Sequence, residues 1–229
     1  MFQVNVGLKT LWKIGKNFIK NIAKLFAEFS SIRKALKADR QALIKLDPSF
    51  EAWYQFWFHA GYRALRLYRM SRAFYISNFK FLAYLLYHIN RVFYSVDIHP
   101  GANISSGVVI DHGTGVVIGS TAEVGSGTII YHGVTLGARY VMKGKRHPTI
   151  GQNVVLGAGA KVIGPVYIGN NVKVGANAVV NRDVPDNATV VGIPARIIKF
   201  SNLEMTKSDG KDDALCRCEP LTKVETINI

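Results

Sequence analysis

The sequence predicts an α+β chain: an N-terminal α-helical domain followed by a parallel β-helix of hexapeptide repeats. Three observations carry this. Up to about residue 93, apolar residues recur at three- and four-residue steps with lysines between them. From Val96 onward, aliphatic residues recur every six positions, a period that fits neither a helix nor simple strand alternation. The chain has 229 residues, is 48% hydrophobic and 19% charged, and holds 21 Gly against 7 Pro. That composition excludes a disordered or collagen-like chain and allows a sizeable core.

The helical domain, residues 1–93, is read in two parts. Leu8, Leu11, Trp12, Ile19, Ile22, Leu25, Phe26 and Phe29 mark the first amphipathic run. A second run is expected from about Phe50 to Phe74, after Asp47-Pro48, which reads as an N-cap and first-turn pair. It carries Arg63, Arg66, Arg69 and Arg72 at a step of three, expected to form a solvated or partner-facing helix face.

The β-helix domain, residues 94–199, is marked by Ile98, Ile104, Ile110, Ile118, Val124, Ile130, Leu136, Ile150, Leu156, Val162, Ile168, Val174 and Val180. Gly often follows, and small residues often occupy the next turn. This fits a coil of three short strands, each aiming one side chain at an internal core. Two places break the period: Ile110 to Ile118 around Asp111-His112-Gly113-Thr114-Gly115, and Leu136 to Ile150 around 138–148. An insertion in a solenoid must leave the core as a loop, and loops commonly carry function. Both interruptions contain His. Val184-Pro185 and residues 191–196 close the repeat, and residues 200–229, polar and aperiodic, are expected to be a flexible tail.

His112 is the first candidate for chemistry. A neutral imidazole can take a proton from a hydroxyl if a carboxylate fixes its tautomer. Asp97, fifteen residues earlier, lies close to one coil away, and Asp111 is adjacent. The second break supplies Arg139, Lys143, Lys145, Arg146 and His147, cations suited to an anion. No metal is expected. Cys216 and Cys218 form a lone C-x-C, and His112, His132 and His147 follow no ligand pattern.

The net charge of +14 is concentrated N-terminally: residues 1–40 hold nine Lys/Arg against two acids, residues 200–229 four against six. No Gly-rich phosphate loop or recognition helix points to nucleic acid. No apolar run reaches the ~20 residues of a membrane span, and no secretory signal is expected. Surface association of residues 1–30 with a membrane is the minor reading of the Lys-Trp-Phe pattern. A reduced, cytoplasmic setting is expected.

Taken together, Asp97-Ile98-His99-Pro100-Gly101-Ala102, Asp111-His112-Gly113-Thr114-Gly115, Val134-Thr135-Leu136-Gly137, Lys145-Arg146-His147-Pro148 and Val191-Gly192-Ile193-Pro194-Ala195-Arg196 closely resemble the serine O-acetyltransferases. The resemblance runs from about Asp47 to Lys199. It implies a left-handed coil of about 18 residues per turn, packed as a homotrimer or a dimer of trimers. It further implies acetyl transfer from acetyl-CoA to the L-serine hydroxyl, giving O-acetyl-L-serine for cysteine synthesis.

By position, His112 resembles the general base and Asp97 the carboxylate orienting it. Arg146 and His147 resemble groups holding serine, with Asp111 and Asp47 near its ammonium. Gly137, Ala158, Lys173 and Ala176 match positions in a CoA groove between neighbouring chains. The ending Thr226-Ile227-Asn228-Ile229 resembles a terminus whose Ile229 inserts into O-acetylserine sulfhydrylase. No Ser or Cys nucleophile stands out, so direct transfer in a ternary complex is expected. The segment Gly137-Ala138-Arg139-Tyr140-Val141-Met142 is bulkier than the small-residue flap of the family. It motivates the alternative of a sugar or other hydroxyl acceptor.

Overall fold

A computed structural model of the chain describes residues 2–200, apart from the side chains of 2–11, 13 and 14. Ile229, Cys216 and Cys218 lie outside the described residues. The helical part runs α1 Phe2–Leu46, α2 Gln55–Phe58, α3 Ala60–Ile76 and α4 Lys80–Tyr94. Among the described residues, no helix is long and apolar enough to cross a membrane.

The run expected from Phe50 to Phe74 is not one helix. Asp47 does not cap it. Its Oδ1 accepts from the Ser49 N–H (2.9 Å) and Oγ (2.6 Å) in a local turn. The Gln55 side-chain oxygen accepts the N–H groups of Glu51 (2.6 Å) and Ala52 (2.7 Å). These side-chain bonds offer the backbone an alternative to helix. The cap of α3 is His59, whose Nδ1 accepts from the Tyr62 N–H at 3.1 Å.

From Asp97 to Phe200 the chain forms fifteen short strands, nearly all parallel and grouped on three faces. Face one holds β1 Asp97–Ile98, β4 Val117–Ile118, β7 Thr135–Gly137, β10 Lys161–Ile163 and β13 Val179–Val180. Face two holds β2 Asn103–Ile104, β5 Glu123–Val124, β8 Thr149–Ile150 and β11 Tyr167–Ile168. Face three holds β3 Val109–Ile110, β6 Ile129–Ile130, β9 Val155–Leu156, β12 Lys173–Val174 and β14 Ala188–Val191. β15 Arg196–Phe200 closes face three antiparallel to β14.

Each strand therefore pairs with the strand one coil away, not with its sequence neighbour. All thirteen six-residue positions point inward and are at most 4% exposed. The two breaks of the period both fall between strands, at β3–β4 and β7–β8.

The helices lie against the first coil. Gly61 of α3 sits so close that a Cβ there would come within 1.9 Å of the Ile110 carbonyl oxygen. Tyr68, 1% exposed, donates its hydroxyl to the Ala102 carbonyl at 2.7 Å. Arg69 grips Asp39 of α1 with two bonds of 2.7 and 2.8 Å. It also donates to the Ile104 and Ser105 carbonyls. Asp39 Oδ1 accepts a further bond from the Gly107 N–H at 2.8 Å. Arg72 donates to the Gly101 and Ala102 carbonyls. The arginine step of three is thus a solvated face only at Arg63 and Arg66. Two of its four members lock α3 to the β-helix.

Candidate active site

The first insertion turns the chain from face three to face one. His112 takes a left-handed backbone (φ +59°) and its side chain is 74% exposed. The turn is tied down by three backbone bonds: Gly113 N–H to Asp111 O (2.7 Å), Gly115 N–H to Ser95 O (2.9 Å) and Gly133 N–H to Thr114 O (2.9 Å). His112 Nε2 lies 3.8 Å from Asp111 Oδ1, and its ring meets His132 edge-on at 5.9 Å.

Below this turn the helical part contributes Asp47 and His59, with Asp47 Oδ2 3.6 Å from His59 Nε2. One polar atom from each of Asp47, His59 and Asp111 lies within 4.8 Å of the others. Two carboxylates so placed suit a cation such as an ammonium. They do not make a metal centre through His59. Its Nδ1 accepts a backbone N–H, so the ring proton of the neutral form is assigned to Nε2, the atom facing Asp47.

Above His112 the same edge continues as a column. The register Val117↔Thr135, Thr135↔Lys161 and Lys161↔Val179 stacks His132, Ala158 and Ala176 at equivalent positions on successive coils. Ala158 and Ala176 put small side chains at the positions above His132. Lys173, on β12 of face three, is exposed nearby in sequence. Gly137 ends β7, at the opposite edge of face one.

The second insertion lies at that other edge, where face one turns into face two. His147 is 7% exposed. Its Nδ1 accepts from the Thr121 N–H (3.2 Å) and meets the Thr121 hydroxyl at 2.9 Å. The Thr121 Oγ1 accepts the N–H groups of Arg146 and His147, both at 3.1 Å. Acceptance at Nδ1 leaves the proton on Nε2. Burial, then the charge of Arg146, pushes the His147 pKa below its ordinary value. His147 therefore presents a neutral N–H donor. Gly119 makes room for the ring, since a Cβ there would lie 2.0 Å from Nε2. Arg146 donates to the Met142 carbonyl at 3.1 Å, and Lys145 pairs with Glu123 at 2.7 Å. Tyr140, Val141 and Met142 are exposed.

Asp97 stands on face one, held by α4. Tyr87 donates to Oδ1 at 2.5 Å and Arg91 Nε lies 3.3 Å from Oδ2. Burial and this carboxylate push the Tyr87 pKa up to about 12. Among the described residues no ion pair joins Asp97 to His112; the carboxylate within ion-pair reach of that imidazole is Asp111. His99, next to Asp97, bonds the Gly101 N–H through Nδ1 and sits among Tyr75, Tyr84 and Tyr87.

The structure thus gathers Asp47, Asp111 and His112 at one edge and Arg146 and His147 at another. Two open depressions differ in their relation to these groups. One of about 490 Å³ lies among the helices and includes none of the expected site residues. The other, of about 530 Å³, is lined by Arg72, Thr121, Gly144 and Lys145 beside the second insertion. Sequence reasoning missed His59 and Thr121. His59 carried a signal, a side-chain acceptor three residues before the Tyr62 N–H at the start of an apolar run. Thr121 carried none beyond filling a small-residue slot.

Residues 147–182 match the family described as bacterial transferase hexapeptide (six repeats). A serine acetyltransferase of Synechococcus elongatus is 45% identical over 177 residues, 77% of this chain and 72% of the relative. One from Helicobacter pylori is 46% identical over 168 residues, 73% of this chain and 94% of the relative. The chain belongs to the serine acetyltransferase family. Among solved structures, the Neisseria gonorrhoeae serine acetyltransferase in complex with serine aligns with a TM-score of 0.73 at 36% identity, over 79% of this chain and 74% of that one. The Brucella abortus serine acetyltransferase in complex with coenzyme A aligns at 0.74 and 36% identity, over 80% and 73%. The coil is accordingly a left-handed parallel β-helix.

Proposed function

We propose that the protein transfers an acetyl group from acetyl-CoA to the hydroxyl of L-serine in a ternary complex, with His112 as general base. The observation that carries this is the edge itself: an exposed, turn-fixed imidazole beside two carboxylates, beneath a column of small residues. Asp47 and Asp111 would take the serine ammonium. Arg146 would take the carboxylate bidentately and His147 would donate Nε2–H to it. As the serine oxygen attacks the thioester carbon, its proton passes to His112. The C–O bond forms, the C–S bond breaks, and the proton ends on the CoA sulfur. Acyl transfer of this kind needs no covalent enzyme intermediate.

The two groups of residues sit on different edges of one prism, so a complete site needs a second copy of the chain. We therefore read the enzyme as a homotrimer in which the His112 edge of one chain meets the His147 edge of the next. Ala158, Ala176 and Lys173 from one chain and Gly137 from its neighbour would line the CoA groove. The small side chains give an extended pantetheine arm room, and Lys173 suits its phosphates. Asp97 is the orienting carboxylate on the family resemblance, and Asp111 is the nearer one within a chain. Pairing of trimers, a cytoplasmic location and association with O-acetylserine sulfhydrylase through the tail ending in Ile229 rest on that resemblance.

The test is CoA release with L-serine against a panel of sugars, for wild type and His112→Ala. Serine-dependent release is expected, with a loss of at least ~10²-fold in kcat for the variant. Preference for a sugar would overturn the acceptor, and near-equal rates in the variant would overturn the mechanism. Asp97→Asn and Asp111→Asn in the same assay decide which carboxylate serves the base, the larger fall in kcat marking it.

A further inference from the structure

Resting on the proposed serine site, we infer that His59 is a positioning residue for the acceptor's ammonium, acting through Asp47. Its two ring nitrogens have separate duties. Nδ1 is the N-cap of α3, accepting the Tyr62 N–H at 3.1 Å, and this fixes both the ring plane and the tautomer. Nε2–H then faces Asp47 Oδ2 at 3.6 Å. That is longer than a formed hydrogen bond, but contacts in unliganded enzymes commonly tighten when the ligand arrives.

Asp47 Oδ1 is already taken by the Ser49 N–H and hydroxyl. With Oδ1 committed to the turn, Oδ2 is the oxygen left to face ligand. His59 is the group that faces Oδ2, and Asp111 lies across the same small space.

The consequence is chemical selectivity. Asp47 Oδ2, His59 Nε2–H and Asp111 surround a small space that suits one primary ammonium. The N–H at Nε2 offers no lone pair to a metal ion, so His59 faces this space as a hydrogen-bond donor. Asp47 stands in a turn between α1 and α2, and a turn residue alone is a poor anchor. The cap of a seventeen-residue helix packed on the first coil is a firm one.

Two substitutions separate this role from the structural one. His59→Asn keeps a side-chain acceptor for the cap but is too short to reach Asp47. His59→Gln carries an amide N–H out to about the distance of Nε2. Steady-state kinetics on the full-length protein are expected to show the KM for L-serine raised about fivefold or more in His59→Asn. The kcat should change less than about twofold, with the acetyl-CoA KM and melting temperature unaltered. His59→Gln should recover most of the serine KM. A wild-type serine KM in His59→Asn, or no recovery in His59→Gln, would overturn the inference. Absence of serine-dependent CoA release in the wild type would instead sink the proposed function beneath it.

Discussion

At the scale of single residues, the two insertions place imidazoles in opposite environments. His112 is solvated on a left-handed turn; His147 is packed against Gly119 and bonded by Thr121. Burial lowers the pKa of His147, and of His99, so both favour the neutral ring in the fold. The unfolded chain then binds more protons than the folded one as pH falls below the ordinary histidine value of about 6.5. Stability is accordingly full above that value and declines as pH drops toward the lowered folded pKa. Melting temperature measured from pH 7.5 to 5 should fall, and fall less steeply in His147→Gln. Parallel curves for the two proteins would show that His147 does not titrate this way. His112 and His147 were legible because each interrupts a strict repeat, which a core-building pattern does not tolerate without a loop. His59 and Thr121 break no pattern, and their partners come from loops whose course the repeat does not dictate.

At the scale of elements, the joint between helices and coil includes a buried ion pair. Asp39 is 1% exposed and Arg69 7%. The pair is further bonded to the Gly107 N–H and the Ile104 and Ser105 carbonyls, so its polar atoms are compensated in place. Removing one partner would leave the other charge buried and unpaired. Arg69→Met is expected to lower unfolding stability by about 3–5 kcal/mol, measured by urea denaturation. A loss below about 1 kcal/mol would mean water or another cation takes over at Asp39. This joint was not legible in advance. Four arginines at a step of three look alike in sequence whether solvated or paired, because pairing depends on Asp39, thirty residues away. The coil was legible because its contacts repeat: each inward residue stacks on its equivalent one turn away, so a local period encodes long-range pairing. The helical run from Phe50 was misread for the opposite reason. Its boundary is set by the Asp47, Gln55 and His59 side chains bonding to backbone, which hydrophobic periodicity does not register.

At the scale of the whole molecule, the separation of the two histidine loops makes a distinctive demand on assembly. His112 lies where face three becomes face one, and His147 where face one becomes face two. No bend within a close-packed prism brings two of its edges together, whereas a closed ring of prisms does so at every interface. Each single variant, His112→Ala or His147→Ala, is expected to lose most activity as a homo-oligomer, because every interface then lacks one group. Co-expressed in equal amounts, the two chains would assemble at random. An interface is intact when the first chain supplies its His112 and the next its His147, so about one interface in four should be whole. Mixed trimers isolated through two distinct affinity tags each hold one whole interface of three, and should therefore recover roughly a third of wild-type kcat from two impaired parents. Activity no higher than that of the parents would place both histidines' work within one chain, and the proposed interface site would fall.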